Sequence, residues 1–86
     1  MSRTIYRYEI PVDDQWHAIA LTGDVLHVDC RSIYVVELWA IHVDGPTHRR
    51  SFRAYGTGQP IPDGATHVGT TIAPGGHLVW HLMELP

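Results

Sequence analysis

Ile33-Tyr-Val-Val-Glu-Leu-Trp-Ala-Ile-His-Val43 is the longest apolar run in the chain, and it is built almost wholly of β-branched, aromatic and large aliphatic residues. Such side chains fit a pleated, packed surface. Alternation places Ile33, Val35, Glu37, Trp39, Ile41 and Val43 on one face and Tyr34, Val36, Leu38, Ala40 and His42 on the other. Both sets are mostly apolar. The run therefore reads as a strand buried on two sides at the middle of a small sheet protein.

Strand signals continue outward on both sides of this run. Upstream, Ile5–Ile10 alternates, with Tyr6, Tyr8 and Ile10 on one face and Ile5, Arg7 and Glu9 on the other. Pro11 ends it, and Val12-Asp13-Asp14-Gln15 reads as a turn, with Asp side chains bonding nearby backbone N–H groups. Trp16–Leu21 is a second strand. Thr22-Gly23-Asp24 turns the chain into a third, Val25–Cys30, with Leu26, Val28 and Cys30 facing in and Val25, His27 and Asp29 facing out. Downstream, Asp44-Gly45-Pro46 closes the central run. Thr47–Tyr55 follows, with Phe52 and Ala54 on one face and Arg49, Ser51, Arg53 and Tyr55 on the other. Gly56–Gly64 is the one long irregular segment. His67–Ala73 and His77–Leu82 form a final hairpin around Ala73-Pro74-Gly75-Gly76. No stretch keeps the apolar spacing of a capped helix. About seven short strands separated by turn signals predict an all-β fold, a small antiparallel sandwich or partly open barrel.

Composition bounds the function classes. With 86 residues the chain reads as one domain, residues 1–86, and self-association is a common way for so small a core to grow. The formal charge is −3 and every fixed cation is an arginine, which gives no support for nonspecific nucleic-acid binding. Cys30 is the only cysteine, so no intrachain disulfide forms and its expected place is as a small buried apolar residue. No leader pattern follows Met1, and no run approaches the ~20 apolar residues of a membrane helix. A soluble, cytoplasmic protein that does not engage membranes is the expectation.

Three constellations carry potential chemistry. Seven histidines stand at positions 17, 27, 42, 48, 67, 77 and 81. Zinc needs three or four converging ligands, and only the final hairpin brings histidines near each other, His67 beside His81. Hydrogen-bonded strand histidines are the favoured reading, with no metal and no cofactor. Glu37, a carboxylate among apolar neighbours, is expected to pair with an arginine on an adjacent strand. The third constellation is Arg49, Arg53 and Tyr55 on one strand face, followed by Gly56-Thr57-Gly58. Pro60 and Pro62 forbid the helix that a dinucleotide loop would open. The two glycines instead offer backbone N–H groups for an anion nest, with the arginines and a stacking tyrosine beside it. The bland alternative is a wide turn with solvated arginines.

The chain resembles a family of small proteins encoded by bacteriophages and by bacterial genomes. The resemblance is carried by Tyr6-Arg-Tyr8-Glu-Ile, Asp14-Gln15, Leu38-Trp39-Ala40, Arg50-Ser-Phe52-Arg, Gly56-Thr57-Gly58-Gln59-Pro60-Ile61, His67-Val-Gly69-Thr and Leu78-Val79-Trp80-His81. Gly-Thr-Gly-His/Gln-Pro and Val-Trp-His are its most specific pieces, and Gln59 stands where a histidine is frequent. The resemblance implies a compact all-β domain of phage-related origin and supplies no catalytic residues. The expected function is that of a phage-type accessory protein acting by binding and not catalysis. It would meet a host protein or a small phosphorylated ligand through Arg49, Arg53, Tyr55, Gly56, Thr57 and Gly58, interfere with host defence, and form a homo-oligomer through strand edges. The alternatives are a structural or assembly module without a ligand, and a metal-dependent enzyme using the histidines.

Overall fold

The computed structural model describes residues 2–86. They form seven strands: β1 (Arg3–Pro11), β2 (His17–Leu21), β3 (Val25–Ser32), β4 (Val35–Val43), β5 (His48–Gly56), β6 (Thr66–Ile72) and β7 (Val79–Glu84). The strands make two antiparallel sheets, ordered β1-β4-β3 and β2-β5-β7-β6, packed as a sandwich and not closed into a barrel. Ile10, Leu21, Val36, Leu38, Ala40, Phe52, Ala54 and Leu82 form the buried core between them.

The central run lies at the middle of its sheet, as its composition predicts, but the expected burial on two sides holds only for the inner face; on the outer face Val35, Trp39, Ile41 and Val43 are half-buried and Glu37 alone is buried. Val36, Leu38 and Ala40 face the second sheet and are fully buried. Among the described residues no third layer covers the outer face. There Glu37 is covered by guanidinium groups from both flanking strands, Arg7 of β1 and Arg31 of β3. The run is also shorter than its sequence suggests. Ile33 and Tyr34 sit exposed in the β3–β4 turn, and pairing begins at Val35.

Two further expectations shift by register. In β3 the ladder slips between Val25 and His27, a β-bulge that sets Val25 against the core and leaves Leu26 exposed. The simple alternation had Leu26 inside, and one inserted residue reverses that. In the last hairpin the turn is longer than four residues. Ala73 N–H donates to Leu78 O at 2.8 Å, so β7 starts at Val79 and runs on to Glu84.

The two sheets approach each other edge to edge along one side. A Cβ placed on Gly69 of β6 would lie 2.7 Å from Val28 Cγ2 of β3, so glycine is what lets the two edges meet there. At one end of the core Arg50 forks onto Glu84, Nε to Oε2 at 2.6 Å and Nη2 to Oε1 at 2.8 Å, with its guanidinium carbon 5.5 Å from the Phe52 ring centre.

Candidate functional site

The predicted Arg49, Arg53 and Tyr55 side chains do share one face of β5, the outer face of the second sheet, but they do not converge. A strand rises about 3.3 Å per residue, so Arg49 stands roughly 20 Å from the Gly56–Gly58 turn. Arg49 is exposed, opposite Ala20 in the β2 ladder, and Ala18 and Ser51 leave the surface around it low and flat.

At the other end of this face Tyr55 is buried, 3% exposed, and is no open stacking surface. Trp16 packs on it at 5.9 Å between ring centres, and the Arg53 guanidinium lies over it at 4.5 Å. Arg53 Nη2 comes within 3.7 Å of Asp14 Oδ1, while its Nε is buried without a hydrogen-bond partner among the described residues. The cation is therefore fixed in place by an aromatic ring below and a carboxylate beside it.

Asp14 and Gln59 are the members of this cluster that the sequence reading missed. Asp14 adopts a positive φ of 59° in the middle of the β1–β2 connection, where Gln15 N–H donates to Asp13 Oδ1 at 3.1 Å. Gln59 closes the Gly56–Gln59 turn: its Oε1 accepts from Gly56 N–H at 3.0 Å, and its own N–H donates to Gly56 O at 3.1 Å. Its Nε2 reaches Asp14 Oδ1 at 3.4 Å and so joins the two loops. The Asp14-Gln15 and Gly-Thr-Gly-Gln pieces hold both residues, but only their meeting in space gives them a job. Two of the turn's N–H groups are thus used internally. Thr57 and Gly58 form its exposed part, Gly58 with φ +89°.

From Thr57 a chain of hydrogen bonds crosses the sheet. Thr57 Oγ1 and His81 Nε2 are 2.8 Å apart, His81 Nδ1 and Thr70 Oγ1 2.9 Å, and Thr70 Oγ1 and His67 Nε2 2.8 Å. His67 and His81 are thus brought together, as the hairpin predicts, with Thr70 between them. Each hydroxyl and each neutral imidazole both donates and accepts, so the chain can be polarised in either direction. Thr57 and His81 have the spacing of a nucleophile and its base, but the group orienting His81 is a neutral hydroxyl, which does not stabilise an imidazolium as a carboxylate does. Among the described residues no group of three or more His, Cys, Asp or Glu side chains is placed to hold a metal ion. Beside Thr57 an open groove of about 530 Å³ runs along Gly56, His77, Leu78, Val79 and Trp80, and Trp80 Nε1–H donates out of it to Ile33 O at 3.0 Å.

A family model described as a domain of unknown function, DUF7352, matches residues 1–86. The chain belongs to this family. No curated protein and no solved structure matches it. Among the described residues no helix is long and apolar enough to cross a membrane.

Proposed function

We propose that the chain is a phage-type accessory protein that acts by binding and not by catalysis, and that it docks an acidic protein surface on the outer face of its second sheet. The observation that carries this reading is the layout of β5: exposed Arg49, fixed Arg53 and the exposed Thr57-Gly58 turn stand in one line of roughly 20 Å on a flat bed of Ala18, Ala20 and Ser51. One phosphate group reaches only one of these points, whereas a protein surface reaches all of them. Guanidinium groups suit carboxylate partners, and a cation held against an aromatic ring loses little freedom on binding.

The resemblance of the Tyr6–Ile10 and Gly56–Ile61 motifs to phage-encoded proteins suggests a host protein as the partner and interference with host defence as the role. Self-association through unpaired strand edges is the second half of the reading, and it would hold equally for an assembly module. Tagged protein incubated with host lysate tests the docking half. A protein captured by the parent chain and lost by the Arg49→Glu/Arg53→Ala variant is the expected result, with capture weakening as salt rises. Equal capture by parent and variant would remove this face from the function. Thermal shift by inorganic phosphate, abolished by Arg53→Ala, would favour the small-ligand reading instead.

A further inference from the structure

β1 has one bonded side and one open side. Val12 N–H donates to Tyr34 O at 2.8 Å, in line with the register that pairs Ile10 with Val36 and Tyr8 with Leu38. In an antiparallel ladder the mutually bonded residues recur at every second position. Thr4, Tyr6, Tyr8 and Ile10 therefore bond inward to β4. Arg3, Ile5, Arg7 and Glu9 turn their N–H and C=O groups away from the sheet, and all four are exposed. The pairing of β1 runs without a bulge, and its one proline is at the last position. Of the devices that blunt a sheet edge, the described residues of β1 carry charged side chains and this terminal proline, and Arg3–Glu9 ahead of it stays open to pairing.

We propose that this edge pairs with the same edge of a second copy, antiparallel about a two-fold axis through Tyr6, giving one continuous sheet β3-β4-β1-β1′-β4′-β3′. This names the surface and register for the self-association half of the reading above, and rests on it. Charge selects the register. An axis at Tyr6 sets Arg3 opposite Glu9′ and, by symmetry, Glu9 opposite Arg3′. Arg3 has no ion-pair partner among the described residues, and Glu9, with its side chain 60% exposed, has only a 3.4 Å contact to Arg7. An axis at Arg7 would stack Arg7 on Arg7′, and one at Ile5 would set Arg3 against Arg7′ twice; like charges directly opposite are destabilising. An axis at Tyr8 pairs Arg7 with Glu9′ but puts Pro11, which has no N–H, opposite Ile5′. An axis between residues sets outward-facing groups against inward-facing ones and breaks the ladder.

The remaining contacts fit the Tyr6 axis. Ile5, 59% exposed, lies opposite Arg7′, whose aliphatic stem covers it. Tyr6, 47% exposed and packed on His42 at 5.0 Å, meets Tyr6′ at the axis in the closely spaced kind of pair, where aromatic side chains interact.

Light-scattering mass across a concentration series tests the pairing. The parent chain is expected to reach the mass of two 9.7 kDa chains. Arg3→Glu and Glu9→Arg alone are each expected to return it to one chain, and the combined charge swap to restore the pair. Under oxidation Tyr6→Cys is expected to cross-link to itself, while Thr4→Cys and Tyr8→Cys do not; the native Cys30 is buried. A single-chain mass at every concentration, a dimer indifferent to Arg3→Glu, or self-linking by Tyr8→Cys in place of Tyr6→Cys would each overturn the proposal. The Arg49→Glu/Arg53→Ala variant alters only the other sheet and must still dimerise. Lost pairing with retained lysate capture refutes the edge alone; the reverse refutes the docking face alone.

Discussion

Glu37 shows how a residue that looks misplaced in a sequence is made stable. Its carboxylate accepts from Arg31 Nε at 2.8 Å, from Arg31 Nη2 at 2.6 Å and from Arg7 Nη1 at 2.7 Å. The Arg31 hydrogen bonds lead in pulling its pKa from 4.5 down to about 2; burial opposes them, and Arg7 adds to the pull. A carboxylate with a lowered folded-state pKa stabilises the fold above its ordinary value, and that contribution is lost as pH falls through the folded value. The chain is therefore expected to lose stability between pH 4.5 and about 2. Glu37→Gln should flatten that part of the profile and lower stability at neutral pH by about 1 kcal/mol, since both arginines are partly solvated and screened. Urea midpoints at pH 7 and pH 3 check this. A parent and variant with parallel pH profiles would show that the cluster contributes nothing.

At the scale of elements, most strands were legible because alternation and turn residues are local signals. β1 and β5 have the faces that their patterns predict, and Asp13-Asp14 makes the expected turn. β3 departs only at its start: Val28 and Cys30 face in as expected, but Val25 and Leu26 exchange faces, because a bulge leaves no trace in hydrophobicity and only packing selects between two good strand residues. Val25, the smaller side chain, packs against the core, and Leu26 is 49% exposed. Val25→Ala is therefore expected to cost about 1–2 kcal/mol and Leu26→Ala less than about 0.5. Denaturant unfolding of the two variants reads the difference, and the opposite ranking would place the bulge elsewhere. The candidate site follows the same logic. Arg49 and Arg53 were visible from spacing, whereas Asp14 and Gln59, 45 positions apart, become one cluster only where two loops meet.

For the whole molecule, the informative place is the seam where β3 and β6 run side by side. Gly69 is the contact point, with Val28 where its Cβ would stand. Gly69→Ala is expected to destabilise the chain by about 1–3 kcal/mol through overpacking. Val28→Ala in the same chain should recover part of that loss, because the clash is between these two positions; paired thermal or urea unfolding measures the coupling. Full additivity of the two changes would mean that the edges do not touch. Among the described residues the opposite side of the first sheet has no such closure, so the β1 edge is left unpaired while the β3 edge lies against β6.

The sequence by itself determined the number and order of the strands and most of their inward faces, because alternation and turn chemistry act between near neighbours in the chain. Tertiary structure alone decided which edges are open, which arginine is exposed and which is pinned, and that Tyr55 lies under Trp16 and Arg53. Those outcomes depend on contacts between residues far apart in sequence, whose geometry is fixed only when the two sheets pack.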